Sequence, residues 1–171
     1  MSKNIVLVGL SGSGKTTIGT LLTELLPDYK FIDTDKIIVK LERRSINDIF
    51  AIDGEGYFRD LETKVAKGVS TSENQIISTG GGIILRQENM DALRSNGVIF
   101  YLKTSPETLI KRLEGDSSRP LLKTDDVKAK LEKMLEIRGK LYEKADITVE
   151  TDNLSAEETA KEIVRLFNEN C

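Results

Sequence analysis

The 171-residue chain has no histidine and no tryptophan, only three prolines, and one cysteine, which is its last residue, Cys171. Without histidine there is no Ser-His-Asp type of triad and no His-ligated metal. One cysteine permits no disulfide within the chain, no thiolate metal cluster and no CxxC redox pair. Aromatic residues are 5% of the sequence, too few to suggest an aromatic cage. No apolar run approaches the roughly 18 residues of a membrane-spanning helix. Met1 to Gly9 opens straight into a strand-like run, not into the charged and then apolar start of a secretion signal. The expectation is therefore a cytoplasmic protein with no membrane partner. Lys and Arg number 25 against 28 Asp and Glu, a net charge of −3. A protein that coats a nucleic-acid duplex is usually basic, so no nucleic-acid partner is expected.

What remains is ordinary for a globular protein: 39% hydrophobic and 31% charged residues. The length suits one domain over residues 1–171 with a substantial core, and a monomer is expected. Five short apolar runs, at 4–9, 30–33, 75–78, 98–102 and 147–150, read as strands. Helical periodicity or helix-start signals fall between and after them, at about 15–26, 36–41, 46–52, 58–69, 87–94, 106–113, 125–143 and 156–167. Strands alternating with helices imply an α/β fold, with a five-stranded parallel sheet between two helix layers. Residues 114–123 carry Gly, Ser and Pro without apolar periodicity and read as a loop. Lys103 to Lys144 holds 11 basic and 8 acidic residues in an otherwise acidic chain. That asymmetry suits either a solvated helix face or a basic cover over an anionic ligand.

The most informative stretch is Gly9-Leu10-Ser11-Gly12-Ser13-Gly14-Lys15-Thr16. It fits G-x-x-x-x-G-K-S/T and lies between the first strand and the first helix. Glycines let the backbone curl so that successive N–H groups converge on phosphate oxygens, and the following helix adds its positive end. Gly12, Ser13, Gly14, Lys15, Thr16 and Thr17 are the candidate nucleotide contacts. Lys15 would reach the β- and γ-phosphates, and the Thr16 hydroxyl would ligate Mg²⁺. No N-K-x-D guanine signature is present. The third strand ends in Thr79 and three glycines instead of the usual magnesium-side Asp. The nearest strand-end carboxylates are Asp33 and Asp35, which a parallel sheet brings to the same edge as the phosphate loop. Asp33-Thr34-Asp35 is read as an extended segment, whose alternate residues point to opposite sides, which suits two jobs: one carboxylate toward metal and phosphate and the other toward an acceptor. The alternative for either residue is a cap on the next helix.

With these residues in place the chain resembles shikimate kinase. The matching pieces are GLSGSGKTTIG at 9–19, FIDTD at 31–35, IFAIDGEGYFRDLE at 49–62, STGGGIIL at 78–85, RPLL at 119–122 and RGKLYEKAD at 138–146. They follow the family's order over nearly the whole chain. The resemblance implies a three-layer P-loop kinase fold of the nucleoside monophosphate kinase type, with a mobile lid at about 114–124. It implies ATP and Mg²⁺, with phosphoryl transfer to the 3-hydroxyl of shikimate. It assigns Arg59, Arg138, Gly80, Gly81, Gly82 and Asp35 to shikimate, Asp33 to Mg²⁺, and Phe50 and Phe58 to the walls of the acceptor pocket. Arg119 matches the lid arginine that would neutralise the transferring group, making Lys15, Asp35 and Arg119 the catalytic set. Arg112 and Asn153 fall where the family holds adenine, although Ala156 stands where the family often has Pro. Bottom-up chemistry agrees, because a small carboxylic acid is best held by guanidinium forks. Glu62, three residues after Arg59, is placed to orient it. A gluconate kinase remains a rival, since gluconate is also an anionic polyol.

Overall fold

The computed structural model describes residues 3–114 and 124–170. Its centre is β1 (Asn4–Val8), buried along its whole length as a strand packed on both faces must be. β3 (Gln75–Ser78) pairs on one side of it and β4 (Gly97–Lys103) on the other. β2 (Lys30–Asp33) and β5 (Ile147–Glu150) form the edges, giving a parallel sheet in the order β2-β3-β1-β4-β5.

Successive side chains of a strand point to opposite faces, and β1 shows the consequence. Val6 and Val8 join one core with Ile77, Met90, Tyr101 and Tyr142. Ile5 and Leu7 join the other with Ile18, Leu22, Phe100 and Phe167. The first core lies under α4 (Gln87–Ser95) and α6 (Thr124–Tyr142). The second lies under α1 (Lys15–Leu25) and α7 (Ala156–Glu169). The result is the expected three-layer sandwich. Among the described residues no helix is long and apolar enough to cross a membrane.

At Asp33 the structure takes the capping alternative in place of the extended one. The Asp33-Thr34-Asp35 segment is not extended. Asp33 ends β2 and caps α2 (Thr34–Glu42), its Oδ1 accepting the Lys36 N–H at 3.1 Å. Asp35 therefore stands in the first turn of a helix, where a carboxylate also meets the positive end of the helix dipole. The two helices expected at 46–52 and 58–69 follow one another as α3 (Ile46–Val69), kinked between them at Gly54 (φ 82, ψ 175). A short 3₁₀ turn at Ile83–Leu85 follows the glycine run. α5 (Pro106–Glu114) runs to the edge of the described residues. The loop expected at 114–123, Arg119 included, lies outside them apart from Glu114 at its start.

Candidate active site

Parallel strands deliver all their carboxyl ends to one edge, and a cleft of about 540 Å³ opens there. Ser11, Gly12, Gly14, Lys15, Thr16 and Thr17 form one wall, Asp33 and Asp35 another, and Ser78 to Gly81 the floor, with Arg112 at the rim. Gly12 and Gly14 take left-handed conformations, φ 87 and 94, which side-chain-bearing residues rarely adopt. The loop thus curls onto the start of α1, whose first turn has no side-chain cap. Its unpaired N–H groups are left for an anion.

Lys15 is 8% exposed and folds back over its own loop. Its Nζ donates to the carbonyls of Gly9 at 2.7 Å and Leu10 at 2.9 Å. Burial lowers its pKa to about 8, partly offset by the nearby Asp35 and Asp33 carboxylates. Arg112 donates to the Ser13 carbonyl at 3.0 Å, so it lies against the outside of the phosphate loop. Asn153 is exposed in the turn before α7. Its neighbour Asp152 accepts the Ser105 N–H at 2.9 Å and ties that turn to the start of α5, the helix that carries Arg112.

Across the cleft, Asp35 is half-buried near Lys15, and its Oδ1, itself buried, has no hydrogen-bond partner. Burial pushes its carboxyl above the usual range, and the Asp33 charge adds to that. A Cβ at Gly80 would stand 2.6 Å from that Oδ1, so only glycine leaves room for the carboxylate. Arg59 donates to Glu62 at 2.5 Å and to Glu55 at 3.0 Å. Its guanidinium lies 5.9 Å and 5.4 Å from the ring centres of Phe50 and Phe58, which pack together at 4.6 Å. Glu62 is 1% exposed, so the pair is held inside the protein, and removing one partner of such a pair costs about 3–5 kcal/mol. Gly82 passes directly under the Arg59 guanidinium. Arg138, on α6, is half-buried and near enough to Glu62 for its charge to act there.

The sequence-derived set thus falls into two groups around one edge. Lys15, Thr16, Thr17, Asp33, Asp35 and Arg112 line the cleft together. Arg59, Arg138 and Gly82 gather beside Glu62 next to it. Two participants were missed. Glu55, four residues before Arg59, is its second carboxylate partner, a spacing that a helical reading contains. Tyr142 donates to the Gly81 carbonyl at 2.6 Å, a link across 61 residues that local spacing does not announce.

The shikimate kinase family model matches residues 11–168. A shikimate kinase of Caldicellulosiruptor saccharolyticus is 46% identical over 164 residues, 96% of this chain and 95% of that protein. Another, from Thermodesulfovibrio yellowstonii, is 40% identical over 96% of this chain and 95% of its own length. The solved structure of shikimate kinase from Acinetobacter baumannii in complex with shikimate superposes with a TM-score of 0.88 at 37% identity, covering 99% of this chain and 95% of that one. A phosphate loop, a half-buried aspartate facing it and a guanidinium cluster at its side, with a family match along almost the whole chain, place this protein in the shikimate kinase family.

Proposed function

We propose that the chain transfers the γ-phosphoryl group of ATP to the 3-hydroxyl of shikimate, giving shikimate 3-phosphate and ADP in the route to the aromatic amino acids. The observation that carries this reading is the facing of Lys15 and Asp35 in one cleft, with Arg59 and Arg138 gathered beside it. The loop N–H groups and Lys15 bind the triphosphate. A phosphate oxygen is a stronger acceptor for the Lys15 ammonium than the neutral carbonyls it now contacts. Arg59 and Arg138 hold the carboxylate of the acid. Phe50 and Phe58, packed at a tilt, offer an apolar wall suited to a ring, which favours a cyclic acid over open-chain gluconate. The Asp35 carboxylate accepts a hydrogen bond from the acceptor hydroxyl, aims it at the phosphorus and is placed to take its proton. In a loose phosphoryl-transfer transition state, this positioning and charge neutralisation supply most of the catalysis.

The Thr16 hydroxyl and the Asp33 carboxylate are hard oxygen donors in the cleft, and among the described residues no group of three or more His, Cys, Asp or Glu side chains could hold a metal ion. That sparse set fits Mg²⁺, which retains water and takes one or two protein oxygens plus phosphates. When bound, the ion neutralises charge on the β- and γ-phosphates. Arg119 is assigned to the transferring group by resemblance, Gly80 and Gly81 to close contact with the acid, and Arg112 and Asn153 to the adenine side. A cytoplasmic monomer with one domain completes the proposal. The test is ADP release with shikimate, gluconate or a nucleoside monophosphate as acceptor, with and without Mg²⁺. Magnesium-dependent ADP formation with shikimate alone is expected; turnover of another acceptor with none of shikimate overturns the reading.

A further inference from the structure

Gly80 and Gly81 form part of the cleft floor, and with Gly82 they make a run of three residues that have no side chains to hold them. Glycine has more backbone freedom to lose than any other residue, so a binding surface built from such a run depends on its backbone hydrogen bonds. The Gly80 N–H donates to the buried Thr34 Oγ1 at 3.2 Å. The Gly80 carbonyl accepts the Ile83 N–H at 3.1 Å, and the Gly82 carbonyl accepts the Leu85 N–H at 3.0 Å. Gly81 is tied differently. Among the described residues its one hydrogen bond is the one its carbonyl accepts from the Tyr142 hydroxyl at 2.6 Å, and its N–H has no acceptor. Close packing does not replace that bond. A Cβ at Gly81 would lie 3.6 Å from the Gly9 oxygen, the Ser11 nitrogen and the Tyr142 oxygen, which is ordinary contact distance.

Tyr142 is suited to be an anchor. It is the last residue of α6 and is fully buried. Its ring stacks on Tyr101 of β4, with centres 5.0 Å apart and planes 11° apart. Burial pushes the phenol up to about 12, so at neutral pH it keeps the proton it donates. We propose that Tyr142 is a positioning residue for the acceptor site: its hydroxyl pins the Gly81 carbonyl toward the core and so presents the Gly81 N–H, fixed in advance, to an oxygen of the acid. The neighbours of Gly81 show which substrate gains. Gly80 lies against the Asp35 carboxylate and Gly82 against the Arg59 guanidinium, both on the acceptor side of the cleft. A donor fixed before binding spares the acid the cost of ordering the glycine run. The inference rests on the shikimate reading above.

The first measurement needs no variant. In the free wild type the Gly81 amide should be as rigid as the strands, with an order parameter from nitrogen relaxation of about 0.85, and shikimate should shift its resonance. A value below about 0.6 in the wild type overturns the proposal. Tyr142→Phe then keeps the stacked ring and removes only the hydroxyl. In the free variant the Gly81 order parameter should fall while those of the strands hold. The KM for shikimate should rise about five- to tenfold, with the KM for ATP changed by less than about twofold. An unchanged shikimate KM overturns the proposal. So do equal rises in both KM values, which mark a general loss of packing, and so does a raised shikimate KM with Gly81 as rigid as before. Tyr101→Leu disturbs the stack and leaves the hydroxyl in place. It should lower Tm with a smaller rise in the shikimate KM than Tyr142→Phe produces, and a larger rise counts against the hydroxyl. Failure of wild type itself to phosphorylate shikimate would instead remove the functional reading, and the rigidity of Gly81, measured without substrate, tells the two failures apart.

Discussion

Gly82 and Arg59 touch in the sense that matters for mutation: a single added methyl at position 82 would land on the Arg59 guanidinium. The guanidinium has little freedom to retreat, because Glu62 and Glu55 hold it from below and Phe50 and Phe58 flank it. Gly82→Ala should therefore displace Arg59 while leaving the phosphate loop intact. The expected outcome is a rise in the KM for shikimate of about tenfold or more, since small misplacements of a binding group are costly. Nucleotide affinity should hold within about twofold. Steady-state kinetics with each substrate varied in turn checks this, and a matched loss for both substrates would contradict it.

Asp35 illustrates a conflict between function and stability. One oxygen of its half-buried carboxylate is fully buried and left without a partner. Burial and the Asp33 charge raise its folded pKa above the unfolded value. A raised carboxyl contributes stability at low pH that is lost as pH rises through the folded pKa, so at neutral pH its ionised form opposes folding. Asp35→Asn should thus raise the neutral-pH stability of the free protein by about 1 kcal/mol, a Tm increase of roughly 2–4 °C. Turnover should fall by about a hundredfold or more, because positioning and proton acceptance are both removed. Thermal unfolding at about pH 4 and about pH 7 supplies the control, since the stabilisation should shrink on the acid side.

The legible parts of this molecule were those whose chemistry is local. The phosphate loop could be read because its glycines, Lys15 and Thr16 are dictated by one ligand within eight residues. Arg59 with Glu62 could be read because a helix places residues three apart on one face. The parallel-sheet rule placed Asp33 and Asp35 at the correct edge. It could not choose between extension and the capping alternative; Asp33 caps α2 and draws Asp35 into a helical turn, since the two compete over a single residue. The break between the helices expected at 46–52 and 58–69 was legible, and it falls at Gly54, where φ is 82. Tyr142 stood in the sequence only as part of the RGKLYEKAD match, with no role attached to it. Its anchor is a backbone carbonyl in another layer of the fold, which no local pattern encodes.

Lys15 offers a pH test of how tightly the free phosphate loop holds its own ammonium. Its folded pKa of about 8 lies below the ordinary 10.5, with burial as the main cause. When the folded value is depressed for a base, the unfolded chain binds more protons between the two values, and stability rises with pH across that window. The cost of burying the charge is fully present below about pH 8 and is relieved as pH approaches 10.5. A difference of this size corresponds to about 3 kcal/mol. Lys15→Met removes the charge and also the donation to Gly9 and Leu10, so its stability change at any one pH mixes two effects. The change of that difference with pH isolates the charge. Relative to wild type, the variant should lose an advantage of up to about 3 kcal/mol in denaturant unfolding between about pH 7 and about pH 10. Other lysines titrate alike in both proteins and cancel. Phosphoryl transfer by the variant should be undetectable across the range, and a stability difference that stays flat with pH would show that the ammonium is solvated in the free protein.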